Sequence, residues 1–143
     1  MPEIITLAVC EIVVVAKDET STLVNLLTEI NLGGLPEIAQ ENAAIPFKWH
    51  VYALWEIPEN EKRRSWEQRV RLRNNRGETV RLEHIAAFDR QGPGLEKPLH
   101  VMVAGLNGFP IIANGEYQIE VSVREVGTEN WTNLRTYPLR ISR

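Results

Sequence analysis

The chain has 143 residues and a mass of 16.3 kDa, with 43% hydrophobic and 24% charged side chains and a formal net charge of −3. That is the material of one domain, residues 1–143, with enough apolar content for its own core; a disordered or fibrous chain is excluded, and one domain rather than two is expected at this length. The lone cysteine, Cys10, excludes an internal disulfide framework and an all-cysteine zinc site.

In chain order, the dominant signal is alternation of apolar and polar residues with a period of two, between clusters of turn residues. Residues 4–16 are rich in valine and isoleucine on both faces and read as a central strand. A membrane-spanning helix needs about 20 apolar residues. This run is shorter, Glu11 interrupts it, and its flanks are wrong for a signal peptide, so a cytoplasmic protein with no membrane association is expected. The Asn130-Trp131-Thr132 sequon is then accidental. Residues 23–32 suit helix or strand; strand is favoured because Gly33-Gly34 ends the run. The connection at 35–45 has room for a single helical turn beginning at Pro36.

Residues 47–57 form a strong strand, with Trp49, Val51, Ala53 and Trp55 on its inward face. After a charged loop, 67–73 and 78–88 make a hairpin. Strands follow at 99–106, 117–126 and 134–141, the last placed at an edge or bulge by Pro138. No helix–strand alternation occurs. The expected fold is therefore all-β: an antiparallel two-sheet β-sandwich of about eight strands, immunoglobulin-like or C2-like, with a closed barrel as the alternative.

Charge is unevenly spread. Residues 1–61 hold two basic side chains and ten acidic ones, whereas 62–90 hold nine basic and four acidic. The hairpin places much of this excess. Val70 and Leu72 must face the core together with Val80 and Leu82, and opposed residues share a face. Pairing 72 with 80 and 70 with 82 leaves Asn75-Arg76-Gly77 as the loop, with glycine at the positive-φ position. Arg69 then opposes Glu83, Arg73 opposes Thr79, and Arg71 opposes Arg81. The outer face carries Arg69, Arg71, Arg73 and Arg81 in a row. Such a row is a solvated face, a docking surface for a protein partner or a second copy, or a track for phosphates. The acidic net charge and the absence of interleaved aromatics argue against nucleic acid.

Ala8-Val9-Cys10-Glu11 before a valine-rich strand, the hairpin 69–83, Phe109-Pro110, Gly115-Glu116-Tyr117 and Tyr137-Pro138-Leu139 together resemble a family of small uncharacterised bacterial β-sandwich proteins. The resemblance implies a fold and a bacterial origin, with no activity or functional residue to carry over. In immunoglobulin-like folds a tyrosine placed like Tyr117 ties a corner through its hydroxyl.

Catalytic signatures are missing. There is no nucleophile elbow, phosphate-cradling loop or His-Glu-x-x-His pair. His50, His84 and His100 fall on three different strands, each read as satisfied singly, so neither metal nor cofactor is expected. With only Asp18 and Asp89, calcium-binding loops are not expected either. Trp66 and Trp131, near predicted loops, are candidate platforms for a sugar or anchors for an interface. The expectation is a non-catalytic β-sandwich that acts through protein–protein contact as a self-associating assembly component. The alternatives are a small-ligand or carbohydrate-binding module using those tryptophans and, further off, a hydrolase built on glutamates or histidines.

Overall fold

The computed structural model describes residues 1–18, 20–33, 43–90 and 92–142, with Arg81 described by its backbone alone. The helical turn expected within 35–45 falls largely outside these residues. Among the described residues the fold is nine strands and one short 3₁₀ turn, Glu59–Glu61, arranged as two sheets that pack face to face. Sheet A has the order β2-β1-β4-β7, from Ser21–Leu26, Glu3–Val15, Ala44–Glu56 and Leu99–Pro110. Sheet B has the order β3-β9-β8-β5-β6, from Glu29–Asn31, Thr132–Ser142, Gly115–Glu125, Trp66–Asn74 and Thr79–Phe88. The all-β sandwich read from the alternation is the fold. Every pairing is antiparallel except β3 with β9, which is parallel.

The inward residues of the two sheets make one core. Trp49 and Trp55 are completely buried, as expected from their shared face on β4. Each indole N–H is satisfied, Trp49 Nε1 donating to Gly108 O at 2.9 Å and Trp55 Nε1 to Gln68 Oε1 at 2.7 Å. Trp49 packs at a tilt on Phe109, and Trp55 stacks on Phe88, with centroids 5.3 and 5.1 Å apart. Tyr117 closes a corner in the way its Gly-x-Tyr setting suggests, its hydroxyl donating to Ala113 O at 2.8 Å.

Two local expectations are corrected. The run 23–32 is not one strand. It breaks at Leu27–Thr28 and changes sheets, β2 pairing with β1 and β3 with β9. The corner is pinned by Leu27 N donating to Val9 O and by the Tyr137 hydroxyl donating to Leu27 O, both at 2.8 Å. Splitting the run buries Ile30 and Leu32 in the core, which a straight strand in sheet A would not do.

The second correction concerns the 67–88 hairpin. Its turn is as read, with Gly77 at φ 76° and Asn74 Oδ1 accepting from Arg76 N and Glu78 N. Arg73 faces Thr79, also as read. Beyond that point a bulge in β6 slips the ladder by two residues, so that Arg71 faces Glu83, Val70 faces His84 and Arg69 faces Ile85. A slip of two keeps every side chain on its face. It also removes the direct Arg71–Arg81 opposition, which like charges disfavour, and sets Trp66 opposite Phe88 at the far end.

Candidate interaction surfaces

Sheet B places Arg69, Arg71 and Arg73 on its outer face. β5 alternates Trp66, Gln68, Val70 and Leu72 inward with Glu67, Arg69, Arg71 and Arg73 outward. Beside them on β8 stand Arg124, Ser122, Glu120 and Gln118. The cross-strand neighbours that sequence reading missed neutralise the row. Glu120 lies between two guanidiniums: Arg71 Nη2 donates to its Oε1, and Arg73 Nη1 is 3.4 Å from the same oxygen. Arg73 also donates to Gly77 O in the turn. Arg124 and Glu67 form a second pair at 2.8 Å.

The remaining arginine, Arg69, meets another candidate. Its guanidinium carbon lies 4.5 Å from the centre of the Trp131 ring, and that of Arg124 lies 4.2 Å from the same ring. Trp131 is thus an anchor for two cations within the chain. The Arg71 and Arg73 side chains retain only 16% and 22% of their exposure, so they lie along the sheet. Partial burial pulls the Arg69 pKa down, with neighbouring Arg71 adding to the effect. Arg81 lies on β6 opposite none of these arginines, and its side chain is outside the described set.

Trp66 is corrected outright. It opens β5 and is only 4% exposed, part of the core rather than a platform for ligand or partner. The histidines are spread over β4, β6 and β7. His100 stacks on Phe88 at 5.9 Å, and burial holds its pKa below the usual imidazole value against the opposing influence of Asp89. Arg90, counted in the basic run, is buried and structural. It donates to Ile57 O at 3.0 Å, Leu95 O at 2.9 Å and Glu59 Oε2 at 2.6 Å, tying the β4–β5 and β6–β7 connections together. Nothing in its sequence neighbourhood marks it.

Sheet A differs in character. Among the described residues the exposed large apolar side chains cluster there: Ile5, Ile12, Val14 and Val15 of β1, Leu26 of β2, and Leu99 and Val103 of β7, against Ile85 alone on the strands of sheet B. At one edge lies β7, a strand of 12 residues whose only ionisable side chain is His100. At the other edge the β1–β2 hairpin leaves the plane of the sheet. β1 pairs with β4 only as far as Cys10 opposite His50. At the next residue His50 Nδ1 donates to Glu11 O at 2.7 Å, and across the hairpin Asn25 sits at φ 55° with its Nδ2 donating to Glu11 Oε2 at 3.0 Å.

The register shows where the hairpin goes. Leu99 lies opposite Glu56, and Glu56 opposite Glu3, so a straight β1 would hold Val15 roughly 40 Å from Leu99 at about 3.3 Å per residue. Instead Val15 and Ser21 line a single cavity of about 670 Å³ together with Tyr52, Leu54, Leu99 and Val101. The hairpin therefore arches back across the outer face of β4 and β7. That cover accounts for Tyr52, an outward residue, being only 6% exposed.

Among the described residues no helix is long and apolar enough to cross a membrane. Compared with known proteins, the chain matches no family model and no curated protein.

Proposed function

We propose that this chain is a non-catalytic β-sandwich that works through protein contact, and that its first contact is with a second copy of itself along β7. The observation that carries this reading is the character of that edge. Edge strands are ordinarily kept short, charged, or interrupted by proline. β7 runs from Leu99 to Pro110 with no lysine, arginine or carboxylate, and no second strand pairs with it among the described residues. Antiparallel pairing of β7 with its copy about a two-fold axis would join the two A sheets into one and cover Val103 and Leu99. The arginine row is the weaker candidate, because Glu120 already meets Arg71 and Arg73. Arg69, engaged with an aromatic ring rather than a carboxylate, is its most available member for a second partner. A reducing, cytoplasmic setting suits the free, buried Cys10 thiol.

Light scattering across protein concentration and salt tests the reading. A dimer that persists at about 1 M salt is expected, since an apolar strand edge is not screened. Val103→Lys, with its fold checked by circular dichroism, is expected to be monomeric. A monomer at every concentration of the unaltered chain, or a dimer unchanged in Val103→Lys and Leu99→Lys, overturns it.

A further inference from the structure

The cavity beneath the arch is a feature that dimerisation through β7 leaves unexplained. Its volume, about 670 Å³, lies within the range of small-molecule sites, roughly 300–1,000 Å³. Its walls come from three separate places in the chain: Val15 and Ser21 on the hairpin, Tyr52 and Leu54 on β4, and Leu99 and Val101 on β7. Among the described residues that line it none is acidic. The lining cation, Lys97, is already engaged within the fold. His100 is held toward its neutral form by burial. The walls thus offer aliphatic and aromatic surface with no free opposite charge to hold an ion. Ser21 adds one polar group: its Oγ is buried without a hydrogen-bond partner, and rotation about a single bond would turn it toward an occupant.

The architecture says why such a space persists. A β-hairpin lying flat in its sheet would leave the outer face open to water. Here the bend at Glu11 and Asn25 is held by two side-chain hydrogen bonds and by the positive φ of Asn25, which turn the hairpin out of the plane of the sheet. Apolar walls that do not touch forgo both dispersion contact and burial, a loss that an apolar occupant recovers.

We propose that this cavity binds a small, uncharged, mainly apolar molecule carrying one hydrogen-bonding group, of the class of medium-chain alcohols. The test uses 1-octanol and octanoate as probes on the unaltered, ¹³C-methyl-labelled chain in whatever oligomeric state it adopts. Octanol is expected to shift the methyl resonances of Val15, Leu54, Leu99 and Val101 in a saturable way, and octanoate to bind at least about tenfold more weakly, having lost hydration of its charge. Leu54→Trp fills the cavity from the floor and Val15→Trp from the roof. Each is expected to weaken octanol binding at least about tenfold, with Ile85→Trp on sheet B as the unaffected control. Two variants on different strands guard against one that misfolds. Absence of saturable shifts at those four residues, equal binding by all variants, or octanoate binding as tightly as octanol overturns the assignment.

Discussion

The outer faces of the two sheets solve the same problem in opposite ways. Both are the solvent side of a sandwich whose inner side is closed by tryptophans and branched aliphatics. On sheet B the described outward residues of β5 and β8 are largely ionic, and four arginines meet partners within the chain: Arg71 and Arg73 at Glu120, Arg124 at Glu67, Arg69 at the Trp131 ring. On sheet A they are largely apolar, and one part is roofed by a hairpin while the edge beside it pairs with no further strand among the described residues. Sheet B looks like a docking surface in sequence, yet Glu120 meets two of its arginines in structure, whereas sheet A attracts no notice in sequence and holds both the cavity and a strand edge that no other described strand covers.

The contrast can be broken most severely at Glu120. Replacing it with alanine leaves two half-buried guanidiniums facing each other without a carboxylate. A loss of about 2–3 kcal/mol is expected in urea unfolding, against less than about 0.5 kcal/mol for Glu83→Ala, whose carboxylate is exposed. Val103→Lys should act on the other face and in the other way, weakening association at least about tenfold while the monomer's unfolding midpoint stays nearly unchanged. Trp131→Ala removes the ring that two guanidiniums share and should cost about 1 kcal/mol. It should also leave Arg69 more hydrated and sheet B more sensitive to salt.

The smallest expected effect is on pH dependence. His100 has a folded pKa below its unfolded value of about 6.5. The unfolded chain thus binds the proton more readily, so stability is full above that value and declines as pH falls below it. His100→Gln should flatten the decline in that window without touching the behaviour of the arginine face.

Much of the fold was legible because it follows from periodicity. The faces of β4, β5 and β8, the Asn75-Arg76-Gly77 turn and the two core tryptophans depend only on alternation and on what glycine permits. What was not legible depends on which strands become neighbours. A two-residue slip is invisible to a pattern of period two, so the opposition of Arg71 and Arg81 was inferred where Arg71 and Glu83 stand. Glu120, 49 residues from Arg71, gives no local sign that it will neutralise the row. Trp66 looked like a loop residue because only its position beside the charged segment was visible, not the Phe88 across from it. Asn25 is the one signal that could have been used: a residue tolerant of positive φ inside an apolar strand marks a bend.

The parallel pairing of β3 with β9 carries a consequence for biosynthesis. Glu29–Asn31 has no strand to zip against until residues 132–142 have left the ribosome, since Thr132–Ser142 lies between β3 and the rest of sheet B. The early segments must wait in an incomplete state with an apolar, uncharged strand already made. Such long-range closure is slow, and until β9 arrives the early strands stay exposed to chaperones and to other nascent copies.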